Sequence, residues 1–322
     1  MVKNIKLAEP IEFKKKTSFW TTLKKQRALV IMSIPLLLYQ ILFKYVPIYG
    51  WAIAFKNYKP GLLSMWQQPW VGFDNFVKLF TGPVTGVRFR NDIVNTLGQS
   101  ILTLILSTIL AIVLSLLLNE LKNVPFKRVI QNITYLPHFL SWIIVAGIVS
   151  VALANDGFIN QILIWLHIIK TPIYFLGNPG YFWGIVAGSQ LWKELGWNTI
   201  LYLAAITAID PTLYEAAEID GAGRYRKMWN VTLPSIRSTI VILLVMNSGW
   251  VLASNIEIPY FLGNGLVMSR AETIGVFVLR YGYQLGNYSL AVVAGIFQTF
   301  VSIIFVVIVN FIARRLGQES LM

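Results

Sequence analysis

The sequence predicts an all-α integral membrane protein with six transmembrane helices, and three observations carry that expectation. Of its 322 residues, 56% are hydrophobic and only 13% are charged, and the mean hydropathy is +0.63. Apolar runs of about 20 residues recur, the length that ~30 Å of hydrocarbon demands of a helix. Basic residues gather in the short intervals between alternate runs, the distribution that orients helices in a bilayer.

Residues 1–27 form a basic segment with Lys3, Lys6, Lys14, Lys15, Lys16, Lys24, Lys25 and Arg27. Phe19, Trp20 and Leu23 fall at helical spacing between these charges, which predicts an interfacial helix on an anionic leaflet. The first apolar run lacks a small-residue cleavage site and carries Tyr39, Gln40 and Lys44, so it reads as a span and not as a signal peptide. A single transmembrane domain is expected over residues 28–315. Its first span, 28–54, is interrupted by Pro35 and Pro47, which a bundle tolerates when neighbouring groups satisfy the freed carbonyls.

Lys56 to Asp92 is polar and rich in Gly, Pro and Trp, the composition of an interface-hugging loop with short helices. The second span is 93–118, and the short loop after it holds Lys122, Lys127 and Arg128. The third span, 129–154, contains Pro137-His138. Phe158 to Ile169 reads as a helix too short to cross, lying in an outer loop that ends near Gly180. The fourth span is 181–208, a polar interval covers 209–235, and the fifth span is 236–253. A second outer loop, Asn255 to Tyr288, carries Arg270 and Arg280. The sixth span, 289–313, ends at Arg314-Arg315.

Six spans place both termini on one side. Lys122, Lys127, Arg128, Arg224, Arg226, Lys227, Arg237, Arg314 and Arg315 join the N-terminal cluster there, which predicts a multi-pass cell-membrane protein with cytoplasmic termini. The first outer loop also holds six basic residues (Lys44, Lys56, Lys59, Lys78, Arg88, Arg90), but it is long, where the charge rule is weaker.

Several function classes are disfavoured. A net charge of +13 would suggest nucleic-acid binding in a soluble chain; here the charge flanks apolar spans. Without cysteine there is neither a disulfide framework nor a thiolate metal site. His138 and His167 are the only histidines and lack the HExxH spacing. No G-x-x-x-x-G-K-[ST] phosphate loop is present. No cofactor, metal or catalytic residue is expected of this chain, and if ATP drives it, another chain hydrolyses the ATP.

The 209–235 interval carries the most information. Asp210-Pro211 pairs an N-cap residue with proline at the first helical position. Thr212 to Ile219 then allows about two helical turns, with Ala216 and Ala217 as a smooth surface beside Glu215 and Glu218. Gly221 and Gly223 permit a left-handed or close-approach backbone. Arg224 to Trp229 forms a second basic, amphipathic piece, and Leu233-Pro234 opens the next apolar run. The residues describe a helix-turn-helix lying across a membrane surface, an outline that an ordinary amphipathic connector shares.

The pattern Glu215-Ala216-Ala217, then Asp220-Gly221, then an aliphatic-x-Leu233-Pro234 resembles the cytoplasmic coupling loop of permease subunits in binding-protein-dependent ABC importers. Val231 stands where that family usually has Ile. Tyr45-Val-Pro-Ile-Tyr-Gly50, Ala54-Phe-Lys-Asn-Tyr58, Trp70-Val-Gly-Phe-Asp-Asn-Phe76 and Asn95-Thr-Leu97 are similar to the first third of carbohydrate-uptake permeases, especially those taking oligosaccharides from complex polysaccharides. Leu136-Pro-His-Phe-Leu-Ser-Trp142, Gly196-Trp-Asn-Thr-Ile-Leu-Tyr-Leu-Ala204 and Arg280-Tyr-Gly282 extend the likeness over nearly the whole chain. Ala271 to Leu279 fits it more loosely.

The resemblance implies a type I importer permease fold. It also implies a second homologous permease, two ATPase subunits that hold ATP and Mg, an extracellular solute-binding protein and an oligosaccharide cargo. By the same likeness Glu215, Ala216, Ala217, Asp220, Gly221, Gly223, Leu233 and Pro234 would engage the ATPase. A related permease for peptides, amino acids or phosphate remains open. A secondary transporter would require an inverted repeat with broken helices and buried ion ligands, and neither is apparent.

The spans offer candidates for a substrate path. Lys193 and Glu194 lie near the middle of the fourth span, where a charge costs several kcal/mol unless it meets water or a partner. One reading is a sugar path in which Trp192 or Trp197 stacks on a pyranose ring. The other is a structural ion pair or a snorkelling lysine. A cation at that depth would also suit a uronate, held by a charge-assisted hydrogen bond. Asn247, Ser248 and Trp250 form a similar polar-aromatic group in the fifth span. His138 and Ser141, after Pro137, are expected to cap a kink.

Overall fold

The computed structural model describes Leu23 and residues 25–61, 64–254 and 256–315, with side chains omitted for 250–254. The expected basic interfacial helix around Phe19 and Trp20 therefore lies outside the described residues. Those described are overwhelmingly helical, and their only β pairing is an isolated antiparallel bridge between Lys56 and Trp70. The chain divides into two units, Met1–Ala52 and Ile53–Met322.

The first unit is built on α1, Arg27–Gln40, which contains Pro35 and has no buried residue. It continues as a π turn over Ile41–Tyr45 and into a 3-10 helix, Val46–Phe55, whose last three residues belong to the second unit. The change of winding coincides with Pro47, which has no N–H to donate to the carbonyl four residues back.

In the second unit α2 (Asp74–Thr81) leads into α3 (Thr85–Glu120). The 36 residues of α3 give roughly 54 Å at 1.5 Å per residue, well beyond the hydrocarbon thickness. The expected loop thus ends earlier than the sequence suggested, since residues 85–92 already belong to this helix. Its buried face carries Asp92, Asn95, Thr96, Gln99, Ser100, Thr103, Ser107 and Thr108, a stripe at steps of three and four that turns polar atoms inward.

The expected third span is broken. It comprises α4 (Val124–Tyr135), a 3-10 turn over Leu136–Phe139 and α5 (Trp142–Ala152), with a bend of 109°. Pro137 lies in the 3-10 turn, and Ser141 restarts the helix by accepting from the Ile144 N–H. After the short α6 (Phe158–Trp165) comes α7 (Pro179–Thr207), capped by Asn178. Next along the chain are α8 (Pro211–Ile219), α9 (Arg224–Lys227), a π turn over Met228–Thr232, α10 (Leu233–Ser235) and α11 (Arg237–Ser254).

The expected second outer loop is largely helical. It holds α12 (Glu257–Leu262), α13 (Met268–Ala271), α14 (Ile274–Leu279) and a π turn over Arg280–Gln284, before α15 (Tyr288–Arg315).

Two apolar cores organise this unit. One joins Leu79, Phe89, Phe277, Val293 and Ala294 from α2, α3, α14 and α15. The other joins Val145, Phe182, Val186, Ile258, Leu262 and Val267 from α5, α7 and the segment around α12. Ala271 to Leu279 thus supplies much of the interior, with residues 271–277 all buried.

Among the described residues three helical stretches are long and apolar enough to cross a membrane, Arg27–Phe55, Thr85–Glu120 and Tyr288–Arg315, and up to five if each bent pair counts as one span. α7 has ample length, 29 residues, yet is not among them because Gln190, Lys193, Glu194 and Asn198 lower its apolarity. It packs most extensively against α3, so its polar residues meet protein and a cavity instead of lipid.

Candidate functional site

Two places combine unusual geometry with the residues singled out above. The first is the 209–235 segment. Asp210 accepts from the Thr212 N–H at 2.9 Å and Pro211 opens α8. That backbone hydrogen bond holds the Asp210 carboxyl below the usual carboxylate range.

The helix ends in a Schellman turn. Ala222 N–H donates to the Ala217 carbonyl at 2.9 Å and Gly221 N–H to that of Glu218 at 3.0 Å, with Gly221 at φ +73°. The left-handed conformation favours glycine there. Gly223 differs from the sequence expectation: its φ of −70° is ordinary, and a Cβ would meet open space.

Two contacts fasten α8 to the segment after the turn. Lys227 donates to Glu218 across the turn, and the Tyr214 hydroxyl lies 3.0 Å from Thr232 Oγ1. The Lys227 hydrogen bond, with the charge of Lys227 next, holds the Glu218 carboxyl below its ordinary range. Glu215, Ala216, Asp220, Gly221 and Pro234 are exposed, while Ala217 and Leu233 are half-buried. Beside them Ile219, Tyr225 and Trp229 are 87%, 84% and 72% exposed. Large apolar side chains this open are of the kind found at contact surfaces.

The second place is a cavity of about 580 Å³ lined by Thr103, Ser107, His138, Trp142, Gln190, Glu194, Trp197, Asn198, Leu201, Leu243, Met246 and Asn247. Glu194, Trp197 and Asn247 of the expected path meet there. Trp192 instead lines a separate, mostly apolar cavity of about 570 Å³ with Phe158, Phe175 and Tyr181. The side chain of Trp250 lies outside the described residues. Lys193 does not line the cavity, being only 6% exposed. Its ammonium group donates to the His138 carbonyl, lies 3.4 Å from Glu194 Oε1 and sits 5.0 Å from the Trp142 ring centroid.

The other Glu194 oxygen is 2.8 Å from His138 Nδ1, and the imidazole stacks on Trp197 at 4.6 Å and 6°. His138, expected mainly to cap a kink, therefore belongs to the cavity wall, while Ser141 does cap. Sequence reasoning missed Thr103, Ser107, Gln190, Asn198 and Trp142. The signal was present on α3, where polar residues recur every three or four positions in an apolar helix. Among the described residues no group of three or more His, Cys, Asp or Glu side chains could hold a metal ion.

Comparison with known proteins agrees with this architecture. Residues 106–318 match the model of the binding-protein-dependent transport system inner membrane component family. Protein LplB of Bacillus subtilis (strain 168) is 40% identical over 94% of this chain and 94% of its own length. The polygalacturonan/rhamnogalacturonan transport system permease protein YteP of the same organism is 39% identical over 92% and 91%. A chain of a bacterial alginate ABC transporter, solved with an alginate pentasaccharide-bound periplasmic protein, superposes with a TM-score of 0.83 at 35% identity over 94% of this chain and 99% of that one. This chain belongs to the inner membrane component family of binding-protein-dependent transport systems and is a transporter permease subunit.

Proposed function

We propose that the chain forms half of the translocation path of an ATP-driven oligosaccharide importer and is coupled to a separate ATPase through residues 215–234. The carrying observation is the Schellman-turned α8. Ala216 and Glu215 are exposed and Ala217 is half-buried, and Ile219, Tyr225 and Trp229 of the same segment are open as well. Such a helix enters a cleft on a partner, and Glu215 pairs with a cation there. Because α8 is fastened to Lys227 and Thr232, a push on it reaches α11 within a few residues.

The cargo reading rests on the relatives' names and on the wall of the 580 Å³ cavity. Flat rings of Trp142 and Trp197 line it together with Thr103, Ser107, Asn198 and Asn247. Rings suit the apolar faces of a pyranose, and the polar groups suit its hydroxyls. A second homologous permease completes the cavity, an extracellular binding protein delivers the sugar, and two ATPase subunits supply the stroke. Six spans with cytoplasmic termini place the coupling segment on the ATPase side.

The test is reconstitution of the four-component complex with its binding protein. The reading requires the ATPase to copurify with this chain and oligosaccharide-dependent uptake to result. A cytoplasm-specific reporter fused after Met322 should be active. Uptake of peptides but not oligosaccharides would redirect the cargo, and activity of an exported reporter alone would overturn the topology.

A further inference from the structure

The broken third span gives one of its carbonyls, that of His138, to a partner outside it. Between Tyr135 and Trp142 the chain passes through a 3-10 turn and two extended residues, Leu140 at ψ 143° and Ser141 at ψ 153°. The helical hydrogen-bond ladder is interrupted there, and non-helical backbone at membrane depth survives only where protein or water meets its polar groups. α7 packs against the break from one side with four residues in just over one turn. Lys193 takes the His138 carbonyl. Glu194 holds the His138 imidazole, with Oε2 2.8 Å from Nδ1. Gly196 lets the α7 backbone pass so close that a Cβ would overlap the Thr134 carbonyl. Trp197 lies flat against the imidazole.

The Lys193 ammonium is thereby fully engaged. A carbonyl, a carboxylate and the Trp142 ring face surround it, and its side chain is 7% exposed. We infer that Lys193, Glu194 and Gly196 form a clamp that fixes the 134–142 break and so positions His138, Trp142 and Trp197 on the cavity wall. Lys193 is a positioning residue and not a cargo ligand. The rings meet the cargo, and the charge that the sequence suggested for a uronate holds the break. The cargo half of this inference rests on the cavity being the translocation path; the clamp itself does not.

The test measures hydrogen exchange of peptides covering 136–142 together with oligosaccharide uptake in the assembled transporter, for Lys193→Met, Glu194→Gln, their double variant and Lys193→Gln. Lys193→Met should raise exchange at the break at least tenfold while leaving peptides of α15 unchanged, and should cut uptake at least tenfold. Lys193→Gln, whose amide still donates to the His138 carbonyl, should recover part of both. The double variant should be no worse than Lys193→Met, because the two residues act as one unit. Should Lys193→Met fail to assemble, Lys193→Gln and Glu194→Gln still report on the break. Wild-type exchange at 136–142 in these variants, or losses of uptake that multiply in the double variant, would overturn the clamp. Raised exchange with unaltered uptake throughout would leave the clamp standing and overturn the path reading instead.

Discussion

The end of α8 and the break between α4 and α5 are both places where a helix stops, and they are completed by opposite means. At Gly221 the chain closes on itself, with bonds from Ala222 to Ala217 and from Gly221 to Glu218. At the 134–142 break the partners arrive from α7, 55 and 56 residues along the chain. The difference comes from the surroundings. An exposed helix end leaves its spare carbonyls to water, so a glycine in the left-handed region suffices. The break packs against α7 instead, and there an ammonium group and a carboxylate from that helix meet it and each other.

The contrast is sharpest at Gly221. Gly221→Val forces a β-branched side chain to φ +73°, at a cost of ~1–2 kcal/mol or more, and misdirects α9 away from α8. ATPase copurification and binding-protein-stimulated ATP hydrolysis should fall more than tenfold, with the permease still inserted and paired. Gly196→Ala probes the other stop. Its Cβ would collide with a backbone carbonyl that cannot yield as a side chain does, so ~1–3 kcal/mol of overpacking should appear as lower thermal stability of the purified complex. Equal tolerance of Gly221→Val and Gly196→Ala would erase the distinction drawn between the two stops.

Smaller effects test how far the self-closing segment depends on its charges. Gly223→Ala should leave ATPase association unchanged, since its φ is negative and the space open. Glu218→Gln should change stimulated hydrolysis less than about twofold, as exposed ion pairs contribute little. Asp210 and Glu218 both have lowered folded-state pKa values. Their contribution is therefore present throughout the neutral range and is lost only as pH falls through those lowered values. Association measured against pH should be flat near neutrality and weaken below the ordinary carboxylate range.

The same contrast explains what could be read from the residues alone. Asp210-Pro211, the alanine pair and Gly221 act within five positions, so cap, helix and turn were all legible. The Gly223 requirement was not, because a glycine reveals permission and not use. Around the break, Pro137 signalled an interruption. That Lys193 points at the His138 carbonyl depends on how α7 lies against α4, which no local pattern encodes. The span pattern was likewise clear where helices face lipid, as in α3 and α15. It was blurred in α7, whose polar residues meet protein and a cavity.

Docking of α8 into the ATPase is the central claim, and a single thiol tests it. The chain has no cysteine, so a single Ala216→Cys in the assembled importer carries the only thiol of this subunit. Reaction of that thiol with a short photoactivatable crosslinker should yield an adduct with the ATPase subunit, at a rate that changes when ATP is added. A Cys placed at Asn247 in the cavity should yield none. Absence of an ATPase adduct at position 216 in an intact, ATP-hydrolysing complex would contradict the claim.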